Sequence, residues 1–353
     1  MRFAVICQRA FLAFALLLGG ATSFPRFSFA QEFDQIAKST AASFSSTQDY
    51  QARTFPDSAN NVELFSRLFF SNLSSKNFFY QPDSNLRLER KRSFSAPRLA
   101  LVTGAIGAAN WALYHQLNGA WWREPRTHFH FYRGYRRTHG AYDFAPSDSY
   151  YYHLDKAGHF YSSIIFTHSL RSIYQWTGFS ERGSDWMAGA AASLLMLEIE
   201  IYDGFFRDWG FSLGDFAANE LGVLWAIAQT RSPKLRQLHV KASYDPFAKL
   251  EDDHWIKNYG AMTFWLSFSV RPMLPEAMQK VWPKWLNLAA GYGTSRLRHG
   301  RFKAYLAFDL NTKELFKSKS FALAPLKTVL TYLHLPLPAL QIRPSIKFLP
   351  AHF

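Results

Sequence analysis

The stretch that most constrains this chain runs from Asp155 to Gly222. It holds three short polar signatures in apolar surroundings: DKAGHF from Asp155, EIEIYDGF from Glu198, and GFSLGDFAANELG from Gly210. Each carries polar residues at helical spacing: Asp155 with His159, Glu200 with Asp203, and Asp215 with Asn219. Residues three or four apart share one face of a helix. Three helices, each with a polar pair turned the same way, predict one polar pocket between them.

The flanking sequence predicts a helical bundle. Pro97 suits a first helical turn, and no charged residue interrupts Leu99 to Gly119. That run is the best transmembrane candidate after the N-terminus, and its Gly104, Ala105, Gly107, Ala108 and Ala109 suit close helix contact. Asn110, His115 and Gln116 also fit a helix buried in a soluble bundle. Three more helices are expected, from about Asp155 to Trp176, Ser184 to Phe205, and Ser212 to Thr230, with Gly178 stopping the first of these. Beyond Lys234 the pattern changes to period two, in Met262 to Val270, Trp285 to Gly293 and Phe302 to Leu310. A helix is expected at about Phe321 to Leu333. The last extended piece, Ile342 to Phe353, ends on Phe as terminal strands of outer-membrane barrels do. Three or four strands do not close a barrel. The expected fold is therefore α+β: a central bundle of about four helices followed by a small antiparallel β-rich region.

The N-terminus reads as a secretory signal, residues 1–30. Arg2 and Arg9 precede an apolar run from Ala10 to Gly20, and Ser28-Phe29-Ala30 offers a small-x-small cleavage site. The one cysteine, Cys7, lies inside it, so the remaining chain has neither a disulfide nor a thiolate metal site. Residues 31–96 form a polar arm or linker with a weak amphipathic helix at Asn61 to Phe70 and the basic run Arg87 to Arg92. The bundle is assigned to 97–233 and the β-rich region to 234–353. The formal net charge is +14. In an exported chain this favours anionic lipid over nucleic acid, against the alternative of a solvated basic surface. The expected partner is a membrane lipid or envelope component, and a homo-oligomer stays open. The expected location is the bacterial cell envelope, periplasmic or membrane-associated.

Each polar signature has two readings. Asp155 stands where a helix begins and needs no chemistry if it is an N-cap. With His159 it also forms the pair by which a carboxylate orients an imidazole. Glu200 and Asp203 sit at a helix C-terminus, where the dipole opposes them, so Lys156, His159, an arginine or a cation must compensate. Glu198 points to another face. Ser212 and Asp215 read as a capping box, but Asn219 is a poor mid-helix residue and answers another buried polar group. His128, His130 and His139 match no standard ligand spacing.

Together, DKAGHF, E-x-x-DGF and GFS-x-GD-x-x-AN-x-x-G resemble a predicted periplasmic lipoprotein family of unknown function (YfiM-type). They are more remotely similar to the VanZ-like family, whose motifs are an Asp-Lys-x-x-His start, a Glu-x-x-Gln helix and an Asp-x-x-x-Asn helix. The upstream FHFY and downstream KWLNLAAGYG extend the resemblance over about residues 125–310. It implies functional positions at Asp155, Lys156, His159, Glu200, Asp203, Asp215, Asn219 and Gly222. The chain departs from it in having no lipobox cysteine, and in having Asp203 where VanZ-like proteins tend to carry Gln. No reaction comes with the resemblance. Two readings follow. In the first, His159, Asp155, Glu200, Asp203, Asp215 and Asn219 form a site for a lipid or cell-wall headgroup, with hydrolysis as one outcome. His159, Glu200 and Asp203 are then the metal ligands if a metal is held; no cofactor is specified. In the second, the cluster is a structural network in a non-enzymatic scaffold, and the β-rich tail contacts a partner or the outer membrane.

Overall fold

The computed structural model describes residues 93–132, 151–249, 258–294, 301–315 and 330–353. The signal, the Asn61 to Phe70 helix, the Arg87 to Arg92 run and His139 lie outside the described residues, as does most of the Phe321 to Leu333 helix. The architecture is α+β. Among the described residues, four main helices are followed by a six-stranded antiparallel sheet in the order β1 to β6.

The helices start and stop where their end residues dictate. α1, Ala96–Ala120, is capped by Ser95 and carries Pro in its first turn. α2, Leu154–Thr177, ends on left-handed Gly178. α3, Glu181–Asp203, begins earlier than the sequence pattern suggests because the Ser180 side chain accepts from the Gly183 N–H at 3.1 Å. α4, Leu213–Arg231, is capped by Ser212. One end of the bundle is filled by Leu99, Val102, Leu170, Tyr174, Ala188, Ala192, Val223 and Ile227. The other end packs Trp122, Tyr202 and Phe206 with Tyr114 and Trp209. The transmembrane expectation for Leu99 to Gly119 is not met: no described helix is long and apolar enough to cross a membrane. The Gly and Ala residues and Asn110, His115 and Gln116 dilute the run. Asn110 also has a task within the bundle, donating to Glu198 Oε2 at 2.8 Å.

The sheet comprises β1 (Leu238–Tyr244), β2 (Met262–Phe268), β3 (Leu286–Thr294), β4 (Phe302–Leu310), β5 (Leu337–Arg343) and β6 (Lys347–His352). The three period-two runs are strands, as their alternation demands. The terminal piece supplies β6, and β1 and β5 are strands the alternation did not announce, so the sheet exceeds the three or four strands expected. Its polarity is inverted relative to a sheet on an apolar core. The enclosed face carries Lys241, Ser243, Ser267, Asn287, Asp309 and Gln341 together with Trp265 and Tyr305. Lys241 Nζ lies 2.7 Å from Asp309 Oδ2, and the two side chains are 2% and 0% exposed. Ser267 donates to Asp309 at 2.5 Å, and Asn287 donates to Ser267 at 3.2 Å. His334 stacks on Trp265 with ring centroids 3.9 Å apart. The outward face is apolar, and its β1–β3 part is covered by the bundle: Phe264, Ala242 and Tyr292 pack with Leu154, Ala157 and Tyr161 of α2.

Burial lowers the pKa of His334 from 6.5 to about 4, with Asp309 opposing and Lys241 assisting; burial lowers His352 to about 4 as well. Both rings are neutral in the folded state, while the unfolded chain takes up protons from 6.5 downwards. Their contribution is therefore intact above 6.5 and is lost as pH falls towards 4. For His334 alone the loss amounts to about 3 kcal/mol. His334→Phe, which keeps the ring on Trp265, should flatten part of the fall in melting temperature between pH 7 and pH 4.5, His352 retaining the rest. An unchanged slope would refute this assignment.

Candidate functional site

The polar signatures converge. α2 supplies Asp155, Lys156, His159 and Ser163; α3 supplies Glu200 and Asp203; α4 supplies Asp215 and Asn219, with Ser212 at its cap. Convergence requires α2 and α4 to approach closely, and Gly222 permits it. A Cβ there would collide with the Phe160 carbonyl oxygen and lie 2.8 Å from Ser163 Cβ.

Asn219 is the hub and is fully buried. Its Oδ1 faces His159 Nδ1 at 3.1 Å and accepts from Ser163 Oγ at 3.3 Å, while its Nδ2 donates to Glu200 Oε1 at 3.2 Å. His159 Nδ1 also lies 3.3 Å from Glu200 Oε1. Both groups facing Nδ1 are acceptors, so the network assigns the proton to Nδ1. Nε2 has no partner among the described residues. Beside this, Lys156 Nζ bridges Asp155 Oδ2 at 3.2 Å and Asp215 Oδ1 at 3.4 Å.

Asp155 does not cap its helix. The N-cap position is His153, left-handed at φ 61°, with no side-chain cap bond. Asp155 instead sits in the first turn and turns into the cluster, where its buried Oδ1 has no hydrogen-bond partner. Asp215 fulfils half of the expected capping box: its N–H donates to Ser212 Oγ at 2.9 Å, but its carboxylate goes to Lys156. Asp203 is drawn aside by Trp122, whose indole N–H donates to Oδ1 at 2.6 Å. Sequence reasoning missed Trp122 and Ser163, because neither lies in a polar pair. Among the described residues, His159, Glu200 and Asp215 are placed to share a metal ion, with ligand atoms within 4.8 Å of one another. Asp215 thus stands where the sequence suggested Asp203. The FHFY run lies against the loop after α3, with the His130 N–H on the Gly204 carbonyl at 2.9 Å and Tyr132 N–H on Phe211 at 2.9 Å.

The electrostatics are unbalanced. Four carboxylates face one lysine and one imidazole. Burial pushes Asp155 up to about 7, with Asp215 adding to the rise and Lys156 and His159 opposing it. Burial pushes Asp203 up to about 7 against the Trp122 hydrogen bond. Burial, then Asp215 and Asp203, drive Glu200 well above the usual carboxylate range, and the donors from Asn219 and the Ser212 backbone recover part of this. Asp215 alone is lowered: burial acts against it, but His159, Lys156 and the Ser212 hydroxyl prevail. The centre therefore holds protons on some carboxyls near neutral pH, or takes up positive charge. Access is narrow, with the His159 side chain 18% exposed and that of Glu200 1%. A pocket of about 370 Å³ opens further along α2, lined by His168, Arg171, Gln229, Arg236 and Tyr332 among others; the cluster residues are not part of its lining.

Residues 144–230 match the model of a family described as predicted periplasmic lipoprotein (DUF2279). The match spans the three motifs and is narrower than the stretch of resemblance at 125–310. No curated protein and no solved structure matches the chain. The family's description agrees with an envelope location, periplasmic or membrane-associated.

Gly222→Ala tests the helix contact on which the cluster depends. The added methyl should force α2 and α4 apart and cost about 1–3 kcal/mol of stability in urea denaturation. An unperturbed midpoint would mean that the contact is looser than this geometry.

Proposed function

We propose that the chain is an envelope protein whose bundle centre binds a divalent cation and, through it, the polar headgroup of a lipid or cell-wall component. The observation that carries this reading is His159. Its Nδ1 is pinned by Asn219 and Glu200, which orients the imidazole, while Nε2 meets no partner among the described residues, the arrangement found behind metal-ligating and general-base histidines. The excess of buried carboxylates over bases supports a cation. One nitrogen with carboxylate oxygens suits a first-row divalent metal. The candidate ligand atoms all lie within 4.8 Å of one another, close enough to face a single ion. Lys156, Asp155 and Asp203 would then set the charge around the ion, and hydrolysis of a bound headgroup, with a neighbouring carboxylate rather than the metal-bound imidazole as base, is the reaction class such a centre would permit. The resemblance of the motifs to the VanZ-like family belongs to this same reading.

A specific observation also favours a structural role: Asn219 is fully buried with every contact answered within the bundle, as in networks that fix helix register. Calorimetric titration of the chelator-treated full chain with Zn²⁺ or Mn²⁺ separates the two. Saturable binding is expected, weakened by about tenfold or more in His159→Ala and unchanged in Glu198→Gln, whose carboxylate lies outside the cluster. If the wild type binds neither ion, or His159→Ala binds as well as the wild type while Asn219→Leu only lowers the melting temperature, the cluster is structural.

A further inference from the structure

We infer that the outward face of β4, β5 and β6 is a docking surface for an anionic phospholipid bilayer. The inference rests on the sheet and is independent of what the His159 centre binds. The inverted polarity described above leaves apolar side chains facing out. Over β1 to β3 the bundle covers them; over β4 to β6 it does not. Leu306 pairs across to Leu340, and Leu340 to Phe348, giving an outward row that is 47%, 41% and 70% exposed. Phe302, Phe308, Ile342 and Ile346 extend it and are likewise exposed. A patch of this kind on one face marks an interaction site rather than scattered surface residues.

The charge around the patch says what covers it. Residues 301–308 and 337–353 contain no Asp or Glu, and they carry Arg301, Lys303, Arg343 and Lys347. These four lie together at one end of the strands, where β4 begins, β5 ends and β6 begins. Arg343 sits over the exposed Phe302 ring, 5.5 Å from its centroid. The one acid of these strands, Asp309, is enclosed on the opposite face against Lys241. Apolar and aromatic side chains beside a basic strand end match acyl chains beside anionic headgroups. A second copy of the same face would bring these cations against each other. Apolar positions alternating outward with polar positions inward is also the pattern of strands that meet lipid.

Flotation of the full chain with vesicles of phosphatidylethanolamine and phosphatidylglycerol tests the inference, with phosphatidylcholine vesicles as the uncharged comparison. The wild type should float with the anionic vesicles, and less so at high salt. The triple variant Leu306→Asp, Ile342→Asp, Phe348→Asp should lose about tenfold or more of the bound fraction with little change in melting temperature, because all three side chains belong to the exposed face of the sheet. Should the triple variant unfold, the rim variant Arg343→Gln, Lys347→Gln carries the test, with a clear loss of binding expected. His159→Ala should float as the wild type does, which keeps this outcome separate from any result on ion binding. Equal flotation of wild type and variants would overturn the inference. So would a wild type that ignores both vesicle types, or one that is oligomeric where the triple variant is monomeric.

Discussion

The bundle depends on how it accommodates Glu200. A carboxyl group buried in the middle of a helical core has to be neutralised or answered by donors. Here it is answered by two groups from two other helices, Asn219 on α4 and His159 on α2. The two donors also meet each other, His159 Nδ1 facing Asn219 Oδ1 across α2 and α4, and Gly222 permits that approach where a side chain would strike the Phe160 backbone. The polar centre and the close packing are thus one constraint. Substituting apolar residues throughout would remove the need for it, and the cluster's cost in burial is therefore a reason to look for a task beyond holding helices together.

The sheet solves a related problem in the opposite sense. Its polar groups are enclosed, and the Lys241–Asp309 pair is completed by Ser267 and by the Leu310 carbonyl, which accepts from Nζ at 2.7 Å. Once the interior is committed to this network, period-two alternation sends Leu, Ile and Phe outward. The bundle covers part of that surface, and the basic rim lies beside the uncovered part. The exposed apolar row follows from the same alternation that buries the ion pair. A change to one face is therefore a change to the demands on the other.

Much of this was legible in the residues. Helical spacing of Asp155 with His159 and of Asp215 with Asn219 places those pairs on shared faces, and alternation in Phe302 to Leu310 makes a strand. Spacing does not say which way a face turns about its helix axis. Asp203 and Asp215 could not be ranked as partners of His159 from sequence, because the ranking comes from Trp122, brought to Asp203 by tertiary packing. The capping reading of Asp155 failed for a local reason. Tyr152 and His153 are both left-handed, at φ 52° and 61°, so the helix is entered through a turn that propensity rules do not foresee for non-glycine residues. The length of Leu99 to Gly119 suggested a bilayer span, and its small residues suggested close helix contact, yet Gly104, Ala105, Ala108 and Ala109 are exposed, and it is Asn110 that bonds within the bundle. The inverted face of the sheet was hidden because alternation alone does not reveal which side is enclosed.

That left-handed turn also joins the two halves of the molecule. Non-glycine residues hold such a conformation only where surrounding contacts impose it. The Tyr292 hydroxyl of β3 donates to the Tyr152 carbonyl at 2.7 Å, and the Tyr161 hydroxyl of α2 donates to the Tyr332 carbonyl at 2.8 Å. Between these two anchors, α2 presents Asp155, Lys156 and His159 to the cluster, while Tyr259 and Phe264 pack on Gly158 at ordinary van der Waals distance. The first turns of α2 therefore belong to both units of packing at once. The left-handed entry to α2 is therefore held from the sheet side, and it fixes where the helix that carries His159 begins.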